Sequence, residues 1–302
     1  MDQRTVAVIV PVYNRANTVL RTLETILRQT RMPDILVVVD DGSSDGSAEI
    51  VEQWLAKQRP ACTWQVLRLP ENRGASAARN RGLHAAAEYE YIAFIDSDDA
   101  LAADFLERAC AVIAAHPEAV AASCDRQRIR DSGALRKRSD HRRLAANPIA
   151  YTLRYAGGVL SCTLLRRDVV EELGGFDETN RVATEDTALL LRLALKGPWL
   201  HVPGEPSIQD RQISTLNKEQ RNYSRSFTGT FYNWVCANED FLANVRGWEQ
   251  HISPAKADRI CALLWTCASI QYARHGKFRR SVACMGTAIC RFSGSLVGGR
   301  FR

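Results

Sequence analysis

Apolar runs and helix-period segments alternate over the first hundred residues. "TVAVIVPV" at 5–12, "ILVVV" at 35–39, "WQVLRL" at 64–69 and "YIAFI" at 91–95 are short and largely apolar, the pattern of strands buried on both faces. Between the first two, Val19, Leu20, Leu23, Ile26 and Leu27 recur at helical spacing within 17–29. Further helices are expected after Asp45, a candidate N-cap, as far as about 57, and over about 75–87. This alternation predicts an α/β fold: a mostly parallel sheet with helices on both faces. Right-handed crossovers then bring the C-terminal ends of all the strands to one edge, where such sheets bind ligands.

The pattern continues with a helix over about 101–115, a strand near 119–124, a strand at 159–165 ("VLSCTLL") and a helix at about 184–196. The stretch 126–143 carries eight Lys/Arg against Asp131 and Asp140 and suits a polar hairpin or loop. Past 216 the strands stop. Ile260, Leu263, Leu264, Cys267 and Ile270 share one helical face, Gly276 suits a helix end, and Val282, Met285, Ile289 and Phe292 share a second face. A C-terminal helical extension, hairpin-like with basic ends, is expected.

Charge changes the picture only at that end. The 302 residues carry a net +6, yet from 251 onward there are nine Lys/Arg and one Asp. The extension is therefore either a helical cap on the rest of the chain or a peripheral contact with anionic lipid through 256–302. No nucleic-acid partner is expected, because no recognition motif accompanies the charge. No run of 18 apolar residues occurs, and "MDQRTVAVIV" enters a strand without a basic leader. A cytoplasmic location is expected, peripheral on the inner membrane face if lipid is the partner. The nine cysteines are scattered with no C-x-x-C pair, as free buried thiols would be.

The candidate chemistry sits where strands end. "VVVDDGSSDG" at 37–46 closes the second strand on Asp40 and Asp41, and "DSDDA" at 96–100 closes the fourth. With Asp45, six carboxylates are candidates for one crevice: Asp40, Asp41, Asp45, Asp96, Asp98 and Asp99. Turn and helix-cap chemistry explains either cluster alone, but two at strand ends on one edge call for a cation. Mg2+ or Mn2+ holding a diphosphate is the natural occupant. "ENRGASAARNRG" at 71–82 opens a helix with Arg73 and Arg79, a setting suited to phosphate, while Arg81 reads as basic decoration of a solvated helix.

"VIVPVYNRANTVLRTLETILRQT", "VVVDDGSSDGS", "ENRGASAARNRG" and "YIAFIDSDDAL" resemble family 2 glycosyltransferases of the GT-A fold, as do "LLRRDVVEELGGFDET" at 164–179 and "EDTALLLRLALKG" at 185–197. The resemblance spans about residues 5–215. It implies an inverting, metal-assisted transfer from a nucleotide sugar, a UDP-sugar foremost, to a glycan or lipid-linked acceptor in surface polysaccharide assembly. A GT-A domain at 1–216 would comprise a nucleotide-binding half, about 1–100, and an acceptor-side half, about 101–216, before the helical extension at 217–302.

The resemblance also implies roles. Asp41, with Asp40 close by, would read the base, lined by Pro11 and Tyr13. Arg79 would approach the nucleotide or its phosphates, Asp96 the ribose, and Asp98 the metal. Asp186 would be the catalytic base, with Glu185 on the acceptor side; first-turn helix acids are the plain alternative for both. Asp177 in "GGFDE", Arg73, and Arg211 in "DRQIST" are weaker candidates. Gln212 stands where several relatives carry a His, which puts a second protein ligand for the metal in doubt. Two rivals remain: a nucleotidyltransferase, which lacks its glycine-rich, lysine-bearing loop in "PVYNRAN", and an inactive nucleotide-sugar-binding scaffold, against which Asp98 and Asp186 argue. A phosphatase reading of "DDGSSDG" fails because the first strand ends in Pro11 and Tyr13.

Overall fold

The computed structural model describes residues 4–129, 138–155, 159–179, 184–210 and 230–297. Eight strands form one sheet: β1 (Val6–Val12), β2 (Ile35–Asp40), β3 (Thr63–Arg68), β4 (Tyr91–Phe94), β5 (Asp99–Ala100), β6 (Ala121–Ile129), β7 (Thr163–Arg166) and β8 (Trp199–Asp210). Their order is β3-β2-β1-β4-β7-β6-β8-β5. β1 runs parallel to β2 and β4, and β2 to β3, so these four strands end on one edge. The expectation that every strand ends there is corrected by β7, which runs against both β4 and β6.

β1 is unbroken by polar residues because both its faces are covered. Val6, Val8, Val10 and Val12 join a core with Leu23 and Ile26 of α1 (Val19–Leu27), Val51 and Leu55 of α2 (Ser47–Gln58), and Phe105 of α4 (Phe105–Ala114). On the other face, Ile9 meets α3 (Ala75–Ala85) so closely that a Cβ on Gly82 would lie 2.3 Å from its Cγ2. Each such fully buried aliphatic side chain stabilises the fold by about 1.5–3 kcal/mol.

Three local expectations change. The helix expected from 101 begins at Phe105, because Asp99 and Ala100 first pair with Gln209 and Ile208. The strand expected over 159–165 begins at Thr163. Leu160–Cys162 is a 3-10 turn, held by Thr163 Oγ1 and Cys162 Sγ donating to Val159 O at 2.7 and 3.1 Å. Asp45 is not the N-cap of α2; Gly46 is, at φ 81°, while Asp45 accepts the N–H of Ser47 at 3.0 Å. The basic stretch 126–143 continues β6 to Ile129, and its residues 130–137 lie outside the described residues.

By packing, the chain divides into two compact units. The first comprises 1–146, 158–181 and 196–215; the second comprises 147–157, 182–195 and 216–302. Besides the sheet and α1–α4, the first holds two short helices, α5 (Arg142–Ala146) and α7 (Arg167–Glu172). Two earlier segments, 147–157 and 182–195, thus join the C-terminal helices. The second unit is helical: α6 (Pro148–Tyr155), α8 (Glu185–Leu193), α9 (Thr230–Asn244), α10 (Pro254–Arg274) and α11 (Phe278–Val297). Buried Asn238 ties α9 to α6 through Leu153 O at 2.8 Å. Arg291 bridges Glu239 at 3.0 Å and Asp258 at 2.9 Å, clamping α11 to α9 and α10. All nine cysteines are free.

Candidate active site

The edge at the ends of β1, β2 and β4 is built from three loops. After β2, Asp40 and Asp41 are 4% and 3% exposed. Asp41 accepts the backbone N–H groups of Arg73 and Gly74, both at 2.8 Å, and so pins the β3–α3 loop. Burial, and then the neighbouring Asp40 charge, push its carboxyl above the usual range against the pull of those two N–H groups. Asp40 accepts the N–H of Ser43 at 3.0 Å with Oδ2, while its Oδ1 is buried with no hydrogen bond in normal geometry. Gly42, at φ 69°, makes the close approach possible: a Cβ there would lie 2.6 Å from the backbone carbon of Glu71.

The loop after β1 is laced to the same turn. The N–H groups of Asn14, Arg15 and Ala16 donate to Ser43 Oγ (2.9 Å), Ser47 Oγ (2.8 Å) and Asp45 (3.0 Å), and Ser44 N–H donates to Asn14 Oδ1 at 2.9 Å. Asn14 takes φ 50° here, a conformation Asn tolerates. Pro11 is half-buried at the end of β1, and Tyr13 is exposed beside it.

The third loop carries the other acids. Asp96 receives a hydrogen bond from the buried Arg79 guanidinium at 2.8 Å, and its N–H donates to Ser161 Oγ at 3.1 Å. Asp98 is partly exposed, with Arg15 at 3.9 Å. Asp99 is buried, and neither of its oxygens has a hydrogen bond in normal geometry. Burial first, then the charges of Asp96 and Asp98, push its carboxyl well above the usual range. Asp96, Asp98 and Asp99 are grouped on this loop, with Ser161 against Asp99, and carboxylates so grouped suit a hard divalent cation. No group of three His, Cys, Asp or Glu among the described residues could hold an ion by itself. With one or two of these carboxylates as ligands, the loop would suit Mg2+ or Mn2+ shared with phosphate oxygens, the mode usual for these ions.

Arg79 also lies over the Phe176 ring, 5.3 Å from its centroid. Asn80 clamps the "GGFDE" turn to α3: its side chain accepts from Phe176 N–H at 2.9 Å and donates to Phe176 O at 2.8 Å and to Glu178 at 3.0 Å. Arg73 pairs with Glu178 at 2.9 Å. Asp177 is exposed and accepts the N–H and hydroxyl of Thr179 at 2.8 and 2.6 Å. Sequence reasoning missed Arg15, Asn80, Phe176 and Glu178. Asn80 and Phe176 meet across 96 positions, a separation no local pattern reveals.

Glu185 and Asp186 belong to the second unit, in the first turn of α8, both half-buried. Asp186 accepts the N–H of Thr187 at 2.7 Å. Arg211 and Gln212 lie outside the described residues.

Residues 7–174 match the family described as glycosyl transferase family 2, more than half of the chain. The chain belongs to glycosyl transferase family 2. Residues 91–266 also match glycosyl transferase family group 2. As a family 2 chain it is 40% identical over 103 residues to the glycosyltransferase GlyA of Streptococcus pneumoniae. It is 37% identical over 103 residues to the putative teichuronic acid biosynthesis glycosyltransferase TuaG of Bacillus subtilis. Each alignment covers 34% of this chain, but only 14% of GlyA and 39% of TuaG. Among solved structures, the mannosyltransferase PcManGT from Pyrobaculum calidifontis, in complex with GDP-Man and Mn2+, superposes with a TM-score of 0.62 at 20% identity, covering 99% of this chain and 89% of that one. S. aureus TarS 1-349 in complex with UDP gives 0.57 at 20% identity, covering 99% and 93%. At that identity the superpositions speak for the GT-A fold of this family 2 chain and for nothing finer.

Proposed function

We propose that this chain is an inverting glycosyltransferase that moves a sugar from a nucleotide sugar, a UDP-sugar foremost, to a hydroxyl of a growing or lipid-linked glycan. The observation that carries this is that Asp40 and the Asp96–Asp99 loop stand at the ends of β2 and β4, on one edge of the sheet on either side of β1, with Arg15 beside Asp98 and Arg79 bonded to Asp96. Structural relatives that bind GDP-Man with Mn2+, or UDP, and a family relative named for teichuronic acid biosynthesis, support donor class and setting.

Asp40 Oδ1, which accepts no hydrogen bond within the protein, suits an imide N–H such as that of uracil, with Pro11 and Tyr13 along the base. Asp41 serves that pocket by fixing its wall. Asp96, held by Arg79, suits ribose hydroxyls. Asp98 is the residue to hold Mg2+ or Mn2+, which when bound neutralises charge on the departing diphosphate. Arg15 adds a cation beside Asp98. Asp186 takes the proton of the attacking hydroxyl. The acceptor oxygen bonds to the anomeric carbon as its bond to the phosphate oxygen breaks, in one displacement. Glu185, Asp177 and Arg73 are assigned to the acceptor side or to support, and Arg211 to the donor phosphates.

A screen of nucleotide sugars by nucleotide release, with and without glycan acceptors, tests this. Acceptor-dependent release from one donor is expected. Asp186→Asn should bind that donor within about twofold of the unchanged chain and lose about 100-fold or more in turnover. Donor binding with no turnover for any acceptor would favour the scaffold reading instead.

A further inference from the structure

The largest apolar exposure among the described residues lies on α11. Phe278, Val282, Met285, Ile289 and Phe292 are 69%, 72%, 36%, 60% and 54% exposed. Their spacing alternates between four and three, so they form one line along the helix. This line is not the seam of the hairpin. Ser281 meets Ser269 and Arg291 meets Asp258 on the α10 side, where Cys284 and Ala288 are buried. The apolar line lies about a quarter turn away from that seam.

α10 presents a matching line. Leu263 and Ile270, 42% and 46% exposed, share it with exposed Lys256, Arg259 and Arg274. The two helices run antiparallel, so turning away from α9 in opposite senses brings both lines to the same side of the hairpin. Exposed Lys277 and Arg279 flank the start of the α11 line. No Asp or Glu occurs from 259 to 302. A second copy of this face would set basic residues against basic residues, which costs energy. An apolar surface bearing negative charge has no such conflict. No helix among the described residues is long and apolar enough to cross a membrane, so the hairpin would lie in the interfacial plane.

We propose that the α10–α11 hairpin docks on an anionic lipid bilayer, with the Val282–Ile289 line of α11 set into the headgroup boundary. This inference is independent of the reaction assigned to the chain. Flotation of the full chain with phosphatidylcholine vesicles, with and without phosphatidylglycerol, tests it. Flotation is expected with the anionic vesicles only, and it should weaken as salt rises. Lys277→Gln with Arg279→Gln should lower partition about fivefold per charge. Val282→Asp with Ile289→Asp should lower it about tenfold or more. These positions are exposed, so thermal unfolding of each variant should match that of the unchanged chain. Three results would overturn the proposal: equal flotation with neutral vesicles, no flotation, or a Val282→Asp/Ile289→Asp variant that floats like the unchanged chain. A dimer seen by light scattering, dissociated by that variant and unaccompanied by flotation, would assign the face to a second copy instead.

Discussion

Asp40 and Asp41 are adjacent in sequence and equally buried, but their oxygens are differently engaged. Both oxygens of Asp41 accept backbone N–H groups, and one oxygen of Asp40 accepts none. Asp41→Asn replaces an acceptor by a donor facing another donor and should cost about 1–3 kcal/mol in urea unfolding. Asp40→Asn should spare most of that stability and weaken UDP binding about tenfold, read by calorimetric titration; unchanged affinity would remove Asp40 from the base pocket. The doublet was legible as a candidate site, but not which aspartate is spent on the backbone. A second residue was not legible at all. His141 is fully buried, and burial, then the Arg126 charge, pushes its pKa down to about 4. Its folded value lies below its unfolded value, so the unfolded chain binds the extra proton first. Stability should therefore fall as pH drops from about 6.5 toward 4, by at most about 3 kcal/mol from this group. Urea midpoints across that window should flatten in His141→Gln; an undiminished slope would place the acid sensitivity elsewhere.

At the scale of elements, β1, β2 and β4 were readable because strands covered on both faces leave no room for polar interruptions. The sequence pattern shows β6 too short because its outer half, Arg126–Ile129, pairs with β8 on one side, meets only Ser139 among the described residues on the other, and carries polar side chains. The false strand start at 159 came from apolar residues whose backbone is bent by neighbouring hydroxyl and thiol groups, which hydropathy does not register. The loops matter more than the strands for the site. Gly42 is needed both for its positive φ and for its contact with the Glu71 backbone. Gly42→Ala should cost about 2–4 kcal/mol, lowering the melting temperature and donor affinity together. A loss of affinity at full stability would mean that the glycine serves the ligand rather than the loop.

For the whole molecule, chain order misleads about membership. Segments 147–157 and 182–195 interrupt the sheet-bearing unit in sequence and pack with the C-terminal helices. Asp186 therefore belongs by packing to the helical unit, and Asp98 to the sheet. Hydrophobic period shows that each segment is helical but not which core it joins. Donor binding through the sheet-bearing unit should stabilise the folded chain by mass action. UDP with Mn2+ should raise the melting temperature by several degrees, and UDP with chelator by much less. Asp98→Ala should abolish the difference. A full shift in that variant would take Asp98 out of the metal site.

The lacing of residues 13–16, 40–47 and 71–74 has a bearing on engineering. Each of the three loops hydrogen-bonds to, or presses on, a neighbour's main chain. The 40–47 loop transplanted singly from a relative would meet mismatched partners on two sides, and either of the others on one. Recombination of donor preference between relatives should succeed when all three travel as one cassette, and fail when they are exchanged one at a time.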